Sequence, residues 1–423
     1  MALPTPEGYQ AYNNDTIAGY IAGLPKIKDH LGGGPDAWTV NEVGDGNLNL
    51  VFIIEGPKGD ICVKQALPYV RLVGEGWPLP LDRAYFEHAA SIQERALALA
   101  LVPEIFHYDP KLYLIVMERL SPHIIMRKGM IAGQIYPKFT DDMAAFCART
   151  LFGTSDLAMP AAEKKALIAK FCGNTELCKI TEDLIFTDPY MVHERNRWTS
   201  PQLDEDARKI RGDDALKRAV SKLKYGFLTK AQALLHGDLH TGSIMVTEAE
   251  TKVIDPEFAF VGPIGFDVGK LIGNLLLCYF AQTGHATAAD DRREYRRWIV
   301  AVIEGFWHGF QAQFIELWNS ERHGDAFPPA LFDGDNGLSM RQAQHSFMRD
   351  VFEDALGYAG TSMIRRTLGL AHNADLETIE DPDVRAACER KVLAMGRDLI
   401  LQAQHLANIE AVTAKAVMAD GLG

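Results

Sequence analysis

The chain has 423 residues, 47% hydrophobic and 23% charged, with a formal net charge of -13. These values describe a globular protein large enough for two or three domain-sized cores and exclude disordered and fibrous classes. A net negative chain without a long Lys/Arg run is not built to bind a nucleic acid, so an anionic nucleotide would need a local positive site or a metal.

Residues 1–20 lack a basic start followed by an apolar core, so no secretory signal is expected. The longest apolar stretch, Leu271 to Ala281, is shorter than a membrane span. Cys62, Cys147, Cys172, Cys178, Cys278 and Cys388 form no C-x-x-C pair, which fits reduced thiols. A soluble cytoplasmic protein with no membrane partner is the expectation.

Strand-like patterning is concentrated between Trp38 and Leu120. A strand near Trp38 to Val43 runs into a Gly-containing turn, Asn41-Glu-Val-Gly-Asp-Gly-Asn-Leu-Asn49. Such a turn lets backbone N–H groups approach phosphate oxygens, although glycines there also make an ordinary hairpin. Leu48 to Ile54 and Asp60 to Lys64 are β-prone runs around Gly56-Pro-Lys-Gly59, a hairpin signal. Alternation puts Cys62 and Lys64 on one face and Ile61 and Val63 on the other. Val73 to Pro80 reads equally as a lid and as a surface loop.

Arg83 to Leu101 reads as a helix with Phe86, Ala90, Ile92 and Leu97 available for burial and Glu87 near its start. Glu104 to Tyr108 and Tyr113 to Glu118 form a second hairpin. Beyond Leu120, helical periodicity predicts helices over Lys138 to Leu151, Ala161 to Phe171, Ala207 to Thr229, Ile264 to Thr283, Arg292 to Asn319, Arg341 to Leu370 and Asp383 to Ala416. Short β pieces lie around Leu234 to Ile254. The expected fold is α+β and bilobal, with a small β-rich N-lobe, residues 1–118, and a larger helical C-lobe, residues 119–423.

Two segments carry the chemistry: His236-Gly-Asp-Leu-His-Thr-Gly-Ser243 and Ile254-Asp-Pro-Glu257. A loop carboxylate followed by two more suits phosphoryl transfer, with Asp238 orienting an attacking hydroxyl and the others holding a metal on the donor phosphates. Asp255 and Glu257 are hard oxygen donors suited to Mg²⁺, and the hydroxyl of Ser243 is a further candidate metal contact. Lys64 can neutralise phosphates, and Glu87 can orient it or sit on the surface. Asn47 is the turn side chain placed nearest a nucleotide. Glu118, Arg119 and Leu120 lie where the chain crosses between lobes and can meet adenine through their backbone. Asp267, in Gly265-Phe-Asp-Val-Gly269, is expected to brace loop backbone.

Together with Gly74-Glu-Gly-Trp-Pro78, Asp82-Arg83 and Tyr358 to His372, these segments resemble the 5-methylthioribose kinases, a branch of the protein-kinase-like superfamily that includes aminoglycoside and choline kinases. The resemblance implies a protein-kinase-like fold, Mg²⁺ and ATP, and phosphorylation of the C1 hydroxyl of methylthioribose in methionine salvage. It assigns Asn47, Lys64, Glu118 to Leu120 and Asp255 to Glu257, Pro256 included, to ATP, and Asp238 to the sugar as catalytic base. One of Arg365 and Arg366 is assigned to the sugar; adjacent helical residues point about 100° apart, so both are not expected to reach one ligand. A homodimer is implied in the same way.

Two positions depart from the common kinase pattern: Ser243 stands where Asn usually holds metal, and Asp-Pro-Glu replaces Asp-Phe-Gly. Glu257 is expected to supply the ligand that Ser243 supplies poorly. The alternatives are a kinase of choline, homoserine or an aminoglycoside, and an inactive nucleotide-binding scaffold. Retention of Lys64, Asp238, Asp255 and Glu257 disfavours the scaffold.

Overall fold

The structure is a computed structural model that describes residues 5–44, 48–71, 74–332 and 334–421. Two short helices, α1 (Ile17–Ala22) and α2 (Pro25–Leu31), precede β1 (Thr39–Glu42), β2 (Asn49–Glu55) and β3 (Asp60–Ala66). A ribbon of β4 (Tyr69–Val70) and β5 (Gly74–Pro78) leads to α3 (Arg83–Leu97), β6 (Ile105–Asp109) and β7 (Leu114–Met117). The main sheet is antiparallel in the order β1-β2-β3-β7-β6, which puts Lys64 on its central strand.

Alternation along β3 decides the lobe's layers. Ile61 and Val63 join Phe52, Ile54, Leu114 and Val116 in a core closed by Ile17, Ile21, Ile27 and Leu31 of α1 and α2. Lys64 therefore leaves the opposite face, toward α3. The two N-terminal helices were not anticipated. On α3 the buried stripe is Arg83, Phe86, Glu87, Ala90 and Glu94, while Ile92 is exposed. Hydrophobicity alone put Ile92 inside because the buried face of this helix carries charge.

The larger part contains β8 (Ile124–Ile125), α4 (Met126–Ile131), α5 (Phe139–Gly153), α6 (Ala161–Phe171), α7 (Thr175–Phe186), α8 (Asp204–Gly212) and α9 (Asp214–Thr229). It continues with β9 (Ala233–Leu235), β10 (Ile244–Val246), β11 (Thr251–Val253) and β12 (Phe260–Gly262), then α10 (Ile264–Ala281), α11 (Arg293–Ser320), α12 (Leu338–Leu368), α13 (Ala374–Glu377), α14 (Pro382–Gln402) and α15 (Ile409–Asp420). The helix predicted from Ala207 to Thr229 is two: Asp213 leaves helical geometry, and its carboxylate caps α9 by accepting from the Leu216 N–H. Asn408 likewise caps α15 and divides the helix predicted from Asp383 to Ala416. Helix α7 was not predicted.

Helix α10 is long and apolar enough to cross a membrane, yet every residue in it is buried inside the protein. Its glycines explain how it packs. A Cβ at Gly269 would lie 2.3 Å from the carbonyl oxygen of Ala355, and one at Gly273 2.8 Å from that of Ala359. Gly265, Gly269 and Gly273 share one face at four-residue spacing, so the α12 backbone lies directly against α10. That approach carries Arg365 and Arg366, in the last turn of α12, to the Asp238 side of α10.

Candidate active site

Strand β9 delivers the loop 236–243. Gly237 has φ of 82°, and a Cβ there would stand 2.1 Å from the Phe258 carbonyl oxygen, so only glycine fits. The Asp267 carboxylate, on the first turn of α10, accepts the N–H of His236 at 2.7 Å and of Gly237 at 3.1 Å. The bracing role expected of Asp267 is thus what its contacts perform. His236 Nδ1 accepts from the Asp238 N–H at 3.2 Å, which leaves the ring proton on Nε2 to donate to the Ile254 carbonyl at 2.8 Å. Ile254 N–H in turn donates to Ser243 O at 3.0 Å. Pairing of β10 with β11 sets Ile244 opposite Val253, so the two chemistry-bearing segments emerge side by side from one hairpin.

Asp238 is held from both sides. Lys270 of α10 donates to Oδ1, and His240 Nε2 lies 3.3 Å from Oδ2. Because His240 Nδ1 accepts from the Gly242 N–H at 3.0 Å, the His240 proton sits on Nε2 and points at Asp238. Burial lowers His240 to about 3, so the ring is neutral at physiological pH. Burial alone would raise the Asp238 pKa; the Lys270 ammonium, the His240 contact and the Arg366 guanidinium outweigh it and hold the carboxyl well below its ordinary range. The Ser243 hydroxyl is buried and donates to the Asp238 carbonyl at 3.0 Å.

A small pocket opens over this carboxylate. Asp238, Lys270, Arg365 and Thr181 give its lining polar groups, and Ile180, Leu184, Ile185 and Phe258 give it apolar surface. Arg365 is thus the member of the arginine pair that lines the pocket. Arg366 is the more deeply buried of the two, and both donate weakly to the Ala371 carbonyl, at 3.3 and 3.4 Å. A larger cleft, lined among others by Leu157, Ile264, Phe327 and Phe347, holds none of the candidate side chains.

On the other side of the Asp255 turn lies a buried charge cluster. Lys64 Nζ donates to Glu87 at 2.8 Å and to Asp255 at 2.7 Å. Burial would lower the Lys64 pKa, but Asp255, Glu87 and Glu257 outweigh it and raise it. Asp255 adopts a left-handed conformation at φ of 65°, uncommon for a residue with a side chain and frequent at functional sites. Its side chain is 43% exposed, against 8% for Lys64, so it is the carboxylate of the pair open to a ligand.

Glu257 Oε2 accepts from Asn49 Nδ2 at 3.0 Å and lies 3.6 Å from Arg83 Nε. Arg83, fully buried, also donates to the carbonyls of Leu48, Leu67 and Pro80 and to Asn49 Oδ1. It therefore locks the strand after the Gly-containing turn onto the start of α3 and onto Glu257. At the crossing between lobes, Glu118 N–H donates to Glu104 O at 2.8 Å, Arg119 pairs with Glu55 and Asp60, and Leu120 is half-buried. Asn47 lies outside the described residues.

Residues 39–306 match the phosphotransferase enzyme family. Over 413 residues the chain is 48% identical to a methylthioribose kinase of Escherichia coli, covering 97% of this chain and 98% of that one. It is 46% identical to methylthioribose kinase 1 of Oryza sativa over 93% of this chain and 92% of that one, and 45% identical to a methylthioribose kinase of Pectobacterium carotovorum over 89% and 91%. The chain belongs to the methylthioribose kinase family. Its protein-kinase-like fold is the one the family resemblance implied.

Several side chains at this methylthioribose kinase site were not singled out from sequence. Asn49 and Lys270 sit in apolar runs that read as strand and core helix. Arg83 did carry a signal: a cation in the first turn of a helix opposes the helix dipole and needs buried acceptors to stay there. The loop brace yields a prediction. Asp267→Asn turns an NH₂ toward one of two backbone donors and should cost about 1–3 kcal/mol. It should also lower kcat with little change in the KM for ATP, checked by thermal melts and steady-state kinetics.

Proposed function

We propose that the protein transfers the γ-phosphoryl group of ATP to the anomeric C1 hydroxyl of 5-methylthioribose, giving the 1-phosphate. The observation that carries this reading is the composition of the pocket: one carboxylate with the cations Lys270 and Arg365, in a lining shared with apolar side chains. Choline or an aminoglycoside would bring its positive charge against those cations, whereas a neutral sugar can use them through its hydroxyls. The apolar surface of Ile180, Leu184, Ile185 and Phe258 suits a methylthio group.

In the proposed step the C1 oxygen forms its bond to the γ-phosphorus as the bond to the β,γ-bridging oxygen breaks and ADP leaves. The hydroxyl proton passes to Asp238. Lys64, oriented by Glu87, offsets charge on the donor phosphates, and Arg365 offsets charge on the group in transit. Asn47, the 118–120 crossing and the turn from Asp255 through Pro256 to Glu257 are the groups we assign to the nucleotide. Residues 1–118 then serve as the nucleotide-binding lobe and 119–423 as the lobe that binds the sugar.

Asp255 and Glu257 fit Mg²⁺. Mg²⁺ takes few protein carboxylates and fills its shell with phosphate oxygens and water, which is what these two hard oxygen donors would offer it. Both side-chain contacts of Glu257 fall on Oε2, and the Ser243 hydroxyl is a weaker candidate for the ion. Held by Asp255 and Glu257, Mg²⁺ would supply positive charge to the donor phosphates. Glu257→Gln should raise the Mg²⁺ concentration for half-maximal turnover by about tenfold; an unchanged Mg²⁺ titration removes Glu257 from the metal.

A coupled ADP-release assay across methylthioribose, ribose, choline and homoserine tests the substrate. Turnover confined to another alcohol overturns the sugar assignment and leaves the kinase assignment standing. We place the enzyme in the cytoplasm, in methionine salvage, as a homodimer; light scattering on the purified chain tests the last of these.

A further inference from the structure

We infer that Lys270 is a positioning residue for the acceptor half of the reaction, holding the Asp238 carboxylate against α10 so that it faces the attacking hydroxyl instead of Arg365. The inference rests on the sugar-kinase reading above. Lys270 and Asp267 are the two charged residues of α10, one turn apart on the face that meets the catalytic loop. Asp267 takes the loop's N–H groups. Lys270 takes the loop's acceptors, donating to Asp238 Oδ1 and reaching Gly237 O at 3.4 Å.

The side chain is 5% exposed, and its ammonium lies 5.3 Å from the centroid of the Phe266 ring. An ammonium in a wholly buried helix is sustained only by such partners. Arg365, which lines the pocket with Asp238, and Arg366 beside it in the chain both act on the Asp238 charge. Without Lys270, the carboxylate keeps one neutral donor, His240, and two guanidiniums compete for it. A carboxylate turned toward Arg365 no longer accepts the C1 proton and occupies the donors meant for the ligand. Lys270 keeps its own proton throughout: the phosphoryl group moves to the sugar oxygen, ADP departs and the hydroxyl proton goes to Asp238.

Steady-state kinetics of Lys270→Met and Lys270→Arg test this with the full-length enzyme. Lys270→Met should lower kcat about 30- to 100-fold with the KM for ATP within threefold of the parent, and Lys270→Arg should recover at least a third of the lost activity on a logarithmic scale. In an Asp238→Asn background, Lys270→Met should change the residual rate less than threefold, because the group it positions is gone. Should Lys270→Met not fold, Lys270→Gln, which keeps a donor for Gly237 O, is read in the same way. A folded neutral variant with kcat within threefold of the parent overturns the inference. So does a loss of equal size in the presence and absence of the Asp238 carboxylate, which would mark Lys270 as merely structural. Absence of methylthioribose turnover in the parent defeats the substrate reading instead.

Discussion

Asp238→Asn should lower kcat by about 10³, within the range expected for loss of a positioned proton acceptor, while ATP still binds. The amide keeps an acceptor for Lys270 but sets an NH₂ against the Nε2–H of His240, so the loop loses both the base and one of its two anchors. The pH behaviour of the parent follows from the same contacts. A carboxylate held below its ordinary pKa contributes stability that is present in full above that ordinary value and is lost only as pH falls through the lower, folded one. Asp238 should therefore stay ionised through the ordinary carboxylate titration range. Its ¹³C-carboxyl resonance, identified as the signal missing from Asp238→Asn, checks this; titration near pH 6 would refute the electrostatic picture of the site.

The second large effect is expected at Lys64. Lys64→Met leaves Glu87, 4% exposed, without its ammonium, and breaking a buried pair in this way costs about 3–5 kcal/mol. The KM for ATP should also rise about tenfold or more, since the phosphates lose their cation. The two losses are separable. Lys64→Met combined with Glu87→Gln removes the uncompensated charge, so thermal stability should return toward the parent while ATP affinity does not. Because the surrounding carboxylates raise the Lys64 pKa, its contribution is complete at neutral pH and fades only at strongly alkaline pH. A single variant as stable as the parent would mean that Glu87 is satisfied from elsewhere.

Much of the smaller lobe was legible because its β-prone runs flank turn signals, Gly56-Pro-Lys-Gly59 and Asp109-Pro-Lys111, and because alternation along β3 fixes the facing of Lys64. The loop and the Asp-Pro-Glu turn were legible because Gly and Pro mark backbone geometry that few other residues adopt. Helix breaks at Asp213 and Asn408 were missed, since a single side-chain cap ends a helix without disturbing its apolar period. Helix α7, whose residues give the pocket apolar surface, escaped because its buried positions mix Leu and Ile with Thr181.

By itself the sequence determined the kinase lineage, and it named the carboxylates, the lysine and the loop that we propose carry the chemistry. Tertiary structure decided the partners of those groups. Lys270 belongs to Asp238, Arg83 and Asn49 belong to Glu257, and Arg365 rather than Arg366 faces the pocket. The physical reason is range. Backbone preferences and apolar periodicity act within a few residues, whereas a buried charge is stabilised by whichever opposite charge the packing brings near it. Here that packing is set by a row of glycines on α10 that lets α12 lie against its backbone.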